Sequence, residues 1–188
     1  MTHELVRLEI KHRRWATFSE ATIRLPNGKL VARDIEDHGE AVAVLPYDPL
    51  RRTALLVEQF RAPPFVINGQ EKTLEAIAGC VEGEDHVIAA QRESMEEAGV
   101  RLAALERVAV AWTMPGVSTE RMTLYLAVYE VADRLGPGGG VDAEDENISV
   151  IEMSLGALAR LMDAGDLVDM KTLVLTQALR LRRPELFD

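Results

Sequence analysis

The sequence predicts an α+β chain, a mixed sheet with three helices preceded by a small antiparallel β element. Three observations carry this. A turn signal, Pro26-Asn27-Gly28-Lys29, joins two strand-like runs near the start. Continuous apolar runs such as residues 41–45 (AVAVL) suit strands buried on both faces. From residue 74 onward, helix-period segments with recognisable caps alternate with strands.

In order, residues 4–12 mix apolar and charged side chains as a strand does, and 15–25 and 30–35 form the arms of the hairpin, closed by a type I′ turn at Asn27-Gly28. Such an element is too small to be stable alone, so it packs on the main domain or on another subunit. We therefore divide the chain into a β element at 1–40 and a main domain at 41–188. Strands follow at 41–45, 53–61 and 73–78. Pro63-Pro64 ends the second, and Asn68-Gly69-Gln70 continues a loop. A helix spans 85–98, with Asp85 as N-cap and Gly99 as the left-handed residue after its end. Its inward face comprises Val87, Ala90, Ser94 and Ala98. Strands at 108–112 and 122–131 precede Gly136-Pro137-Gly138-Gly139-Gly140, which breaks regular structure. A strand at 148–153, a helix from Ser154 to 164 and a last helix from Asp169 to 181 complete the chain. Leu173, Val174, Ala178 and Leu181 are the apolar positions of that last helix.

Composition narrows the function classes. The chain has 188 residues, 47% hydrophobic and 28% charged, as expected of a soluble globular protein with a proper core. Its net charge of −10 argues against nucleic acid as a partner, because binding a phosphate backbone draws on clustered Lys and Arg. No apolar run is long enough for a membrane span, and the N-terminus lacks a signal-peptide core. A single cysteine, Cys80, excludes an intrachain disulfide and suggests a reducing compartment, hence a cytoplasmic location. His3, His12, His38 and His86 show no zinc spacing.

The informative chemistry lies at the end of the 85–98 helix. Glu93, Glu96 and Glu97 stand at i, i+3 and i+4, so all three carboxylates share one face. Like charges at this spacing repel, and the last turn of a helix disfavours anions. Two readings stand: a solvated acidic face, or a cluster compensated by a hard divalent cation, which takes oxygen ligands.

The surrounding residues resemble the signature of the Nudix hydrolases: a glycine, five residues, a glutamate, seven residues, then Arg-Glu-apolar-x-Glu-Glu-x-Gly-apolar. Glu84, followed after seven residues by Arg92-Glu93-Ser94-Met95-Glu96-Glu97-Ala98-Gly99-Val100, fits that spacing. Gly79 lies one residue too close to Glu84, and Ser94 replaces an apolar residue. The resemblance implies the Nudix α-β-α sandwich. It also implies metal ligation, by Mg²⁺ or Mn²⁺, through Glu93, Glu96, Glu97 and the backbone carbonyl of Ala78, with Arg92 orienting Glu84.

A narrower resemblance, to the nucleotide-sugar pyrophosphatases of the ADP-ribose and GDP-mannose type, reaches three more places. In Glu58-Gln59-Phe60-Arg61, Arg61 is implied as a diphosphate ligand, with Glu58 and Gln59 beside it at the substrate. Glu75, in the strand before the signature, holds polar groups nearby. In the loop of residues 142–146, Glu144 is implied to deprotonate the attacking water and Glu146 to complete the metal set, with Asp145 and Asp142 as the alternatives one slip away. The glycines before that loop read equally as a flexible linker or as the hinge of a mobile lid. Glu120, after Pro115-Gly116-Val117-Ser118-Thr119, either takes part in catalysis or stabilises its turn. Trp15 and Phe18 either stack on a base or pack between subunits.

The implied reaction is hydrolysis of a nucleoside diphosphate sugar to a nucleoside monophosphate and a sugar phosphate. The implied assembly is a homodimer that exchanges its N-terminal hairpin. A non-catalytic sensor of nucleotide sugars and a house-cleaning nucleoside triphosphatase are the competing readings. The full set of acids argues against the sensor, and the hairpin and long acidic loop argue against the triphosphatase.

Overall fold

The computed structural model describes residues 2–141 and 147–187. The chain divides into two compact units, residues 1–41 with 110–122, and residues 42–109 with 123–188.

In the first unit, β1 (Glu4–Arg13), β2 (Thr17–Arg24) and β3 (Leu30–Asp37) form a three-stranded antiparallel sheet with β2 central. The turn between β2 and β3 is not type I′. That type needs positive φ at both central residues, and Arg52 is the one non-glycine residue with positive φ among the described residues. Pro26 fixes its own φ near the value of a type I turn, and only Gly28, at φ 83°, turns left-handed. Gly28 N–H donates to the Leu25 carbonyl and Leu25 N–H to the Lys29 carbonyl, each at 2.8 Å, which closes a three-residue hairpin loop. Leu5, Leu8, Ile10, Trp15, Phe18 and Leu30 remain exposed on this unit.

The second unit is built on β4 (Ala41–Asp48), buried at every position, and β5 (Thr53–Gln59). These belong to a seven-stranded sheet in the order β10-β5-β4-β9-β8, with β8 at Glu106–Trp112, β9 at Arg121–Val128 and β10 at Ser149–Ser154. Two short strands, β6 (Thr73–Glu75) and β7 (Ile77–Cys80), pair with β5 and β4. Residues at the ends of β8 and β9 fall in the first unit. Val42, Val44, Leu55, Val57 and Ile77 of the sheet pack with Ala89, Ala90, Ala98, Val100 and Leu102 in one core.

Four α-helices, not three, occur among the described residues: α1 (Ala62–Asn68), α2 (His86–Ala98), α3 (Leu155–Ala164) and α4 (Met170–Arg182). The additional one is α1, over residues expected to loop. Pro63 and Pro64 do end the strand, but they also occupy the first turn of a helix, where no N–H is needed, and Gly69 at φ 74° closes it. β9 ends at Val128, and Val131–Asp133 makes a 3-10 turn instead of prolonging the strand. Two helix faces also differ from expectation. Val87 is exposed, and Ala89 joins Ala90, Ser94 and Ala98 on the buried side of α2. In α4 the buried row is Thr172, Leu175, Thr176 and Leu179, while Leu181 is exposed. Thr172 can be buried there because its Oγ1 accepts from Ala76 N–H at 2.5 Å and donates to Asp169, whereas the buried Thr176 hydroxyl makes no hydrogen bond among the described residues.

Candidate active site

α2 is held at both ends. Asp85 Oδ1 accepts from Val87 N–H at 2.8 Å, and Gly99, at φ 61°, returns its N–H to the Met95 carbonyl at 3.0 Å. Ser94, at the position where the signature has an apolar residue, is fully buried and donates to the Ala90 carbonyl at 2.6 Å, which satisfies its hydroxyl within the helix.

Arg92 gathers the acids around it. Its Nη1 donates to Glu93 at 2.8 Å and to Glu96 at 2.9 Å, and its Nη2 donates to Glu84 and to the Cys80 carbonyl at 3.0 Å. Burial opposes the charge on Arg92, but these carboxylates outweigh it and hold the guanidinium firmly protonated. The Glu84 carboxyl is held below its ordinary range by its own backbone N–H and by Arg92. The shortened loop before Glu84 closes on itself, with Glu84 Oε2 accepting from Glu82 N–H at 2.9 Å.

Glu97 is 2% exposed and accepts from Ala78 N–H at 3.2 Å, which ties α2 to β7. The Glu93 carboxylate lies directly against Gly79, where any Cβ would overlap it. Glu93, Glu96, Glu97, Ala78, Glu84 and Arg92 therefore meet at the junction of β7 and α2.

The glycine-rich stretch does something that neither a linker nor a hinge requires. Gly139 N–H donates to the Glu97 carbonyl at 2.9 Å and Gly140 N–H to the Glu96 carbonyl at 3.1 Å. Leu135 and Gly136 both donate to the Gly99 carbonyl. These bonds satisfy carbonyls that the end of a helix leaves without partners.

Beside this junction runs a buried ion-pair chain. Arg61 grips Glu75 with two bonds of 2.9 Å, Lys171 Nζ donates to the same carboxylate at 2.5 Å, and Lys171 also reaches Asp169 at 2.9 Å. Asp169 in turn caps α4 through Thr172 N–H. Burial pushes the Glu75 carboxyl up, but the hydrogen bond from Arg61 and the charges of Lys171 and Arg61 more than offset it and hold Glu75 below the usual carboxylate range. Arg61 feels the charge of Glu97 as well. Glu58 pairs with Lys72 at 2.7 Å, and Gln59 is buried. A cleft of about 320 Å³ opens beside them, lined by Phe60, Phe65, Glu71, Lys72, Asn147 and Ser149.

The NUDIX domain model matches residues 37–171. The chain belongs to the Nudix family. Among its relatives, the GDP-mannose pyrophosphatase of Cronobacter sakazakii is 36% identical over 151 residues, covering 80% of this chain and 78% of that protein. The GDP-mannose pyrophosphatase of Pectobacterium atrosepticum is 34% identical over 159 residues, covering 82% and 81%. A solved structure titled as an ADP compounds hydrolase shares the fold with a TM-score of 0.78 at 18% identity, covering 98% of this chain and 96% of that one. α2, within that matched span, carries the stretch that resembles the Nudix signature.

The remaining expected site residues fall elsewhere in the chain. Glu120 belongs to the first unit, where its carboxylate meets His38 Nε2 at 2.8 Å. His38 Nδ1 meets Glu36 at 2.6 Å, Ser118 Oγ donates to Glu36 at 2.6 Å, and the Trp15 ring stacks on His38 with centroids 4.7 Å apart. Burial lowers the His38 pKa, but the two carboxylates outweigh this and raise it. Asp142, Glu144, Asp145 and Glu146 lie outside the described residues. Among the described residues no three acids, histidines or cysteines converge as a ready-made metal cage. Lys171 and Asp169 were missed by sequence reasoning, because nothing local marks a lysine near the C-terminus as the partner of a glutamate in β6. No helix of the described residues is long and apolar enough to cross a membrane.

Proposed function

We propose that this Nudix protein hydrolyses the diphosphate of a nucleoside diphosphate sugar, with GDP-mannose as the first candidate, to a nucleoside monophosphate and a sugar phosphate. The observation that carries it is the row Glu93, Glu96 and Glu97, the first two bonded by Arg92 and the third by the backbone of β7. The names of the GDP-mannose pyrophosphatases that the chain resembles support the sugar-linked substrate.

The donor set suits a hard divalent cation, Mg²⁺ or Mn²⁺: carboxylate and carbonyl oxygens, with Gly79 leaving room for the Glu93 carboxylate against the main chain. Glu93, Glu96, Glu97 and the Ala78 carbonyl would hold it, with Glu146 as a further ligand. When bound, such an ion screens the diphosphate charge and lowers the pKa of water. The chain's own residues do the rest. Arg92 keeps Glu93 and Glu96 in register and is itself braced by Glu84 and the Cys80 carbonyl. Arg61, fixed in orientation by Glu75, presents the remainder of its guanidinium edge to phosphate oxygens. Glu144 takes the proton of the attacking water as its oxygen bonds to phosphorus. The anhydride P–O bond breaks, and the second phosphate leaves with the electron pair. Glu58 and Gln59 complete the substrate side.

The experiment is a panel of GDP-mannose, ADP-ribose, UDP-glucose, dinucleotides and nucleoside triphosphates incubated with protein and Mg²⁺. The expected result is mannose 1-phosphate and GMP from GDP-mannose, ahead of the others. Absence of product from every diphosphate would refute the enzymatic reading and favour a sensor.

We also assign the β element at 1–40 to a homodimer and the Nudix domain to 41–188. The exposed apolar residues of the three-stranded sheet support this assembly. Sedimentation is expected to give the mass of two chains; a single-chain mass at micromolar concentration would remove the dimer.

A further inference from the structure

Three consecutive glycines, Gly138, Gly139 and Gly140, have φ of 69°, 119° and 84°, a run of left-handed backbone that L side chains rarely adopt. This geometry points two successive amides, those of Gly139 and Gly140, at the carbonyls of Glu97 and Glu96. A Cβ on Gly138 would overlap the Glu97 carbonyl and the Ala98 backbone. A Cβ on Gly99 would overlap the backbone of Gly136 and Gly138. The two main chains are therefore in contact with no side chain between them, and the contact falls on the same two residues whose carboxylates face the site. The hydrogen bonds also cover the negative end of the helix where three acids crowd.

We propose that residues 138–140 are a positioning clamp for Glu96 and Glu97, which sets the last turn of the Nudix helix and so the aim of its carboxylates toward the divalent cation. This rests on the metal-site reading above. The clamp touches no reacting atom. Its effect is on where two ligand-bearing Cα atoms sit, and displacements of about 1 Å can cost on the order of a hundredfold in rate.

The test compares Gly138→Ala with Gly165→Ala. Gly165 closes α3 at φ 81°, and a Cβ there meets nothing within 4 Å, so it carries similar backbone strain without the clamp. Mn²⁺ affinity of the metal-free proteins is read by electron paramagnetic resonance, alongside kcat and KM for GDP-mannose. In Gly138→Ala the Mn²⁺ dissociation constant should rise about tenfold or more and kcat should fall about tenfold or more. KM should stay within about threefold. Gly165→Ala should lose comparable thermal stability yet bind Mn²⁺ as wild type does. Where Gly138→Ala does not fold, Gly139→Ala takes its place, since a Cβ there meets only the Ile148 carbonyl at 3.9 Å and acts through its φ of 119°. Wild-type Mn²⁺ affinity in the folded clamp variant overturns the proposal alone. A wild-type protein that neither binds Mn²⁺ nor hydrolyses any diphosphate overturns the metal-site reading and the clamp together.

Discussion

Glu97→Gln is expected to lower GDP-mannose hydrolysis by about a thousandfold or more while leaving circular dichroism and melting temperature close to wild type. The two halves of this expectation come from one geometry. Glu97 is buried and accepts a hydrogen bond from Ala78 N–H at 3.2 Å. A glutamine keeps an acceptor oxygen of the same reach, so the tie between α2 and β7 survives. What disappears is a negative charge among three, at the position that joins the helix to the strand backbone. Steady-state kinetics at saturating Mg²⁺, with the folding checks on the same sample, decide the matter. A wild-type rate in the variant would remove Glu97 from the metal set.

Glu75→Gln is expected to destabilise the protein by about 3–5 kcal/mol at neutral pH, the usual cost of removing one partner from a buried ion pair. Glu75 is 2% exposed and answers both Arg61 and Lys171, so its loss leaves two cations without their common counter-charge. The pH dependence has a definite sign. A carboxyl held below its ordinary range in the folded state adds stability that is present above its unfolded pKa and is lost as pH falls through its folded value. Wild type should therefore lose stability on acidification below the ordinary carboxylate range, and the variant should lose less. Urea denaturation at about pH 7 and about pH 3 should show the difference between them shrinking at the lower pH. A difference that stays constant would separate the stability of this region from the charge on Glu75.

Local signals in the sequence were enough for the helix that carries the acids. The Asp85 cap, the Gly99 terminus and the shared face of Glu93, Glu96 and Glu97 follow from spacing along one helix, and the structure contains all three. Other features depend on partners far along the chain. The bonds that Lys171 makes to Glu75 and His38 to Glu120 join residues 96 and 82 positions apart, and no periodicity announces them. Pro63-Pro64 carried two meanings at once, the end of a strand and the start of a helix. α4 offered more than one stripe of apolar residues, and its buried row includes Thr172 because that hydroxyl finds partners in Ala76 and Asp169. The glycines at 138–140 looked like punctuation because their role lies in what they touch, the end of α2.

Arg92 amounts to a counter-ion carried on the polypeptide itself. Three acids placed on one helix face would ordinarily oppose folding until some solute neutralised them, making the fold hostage to its cofactor. With a guanidinium already seated between Glu84, Glu93 and Glu96, part of that repulsion is answered by the chain itself.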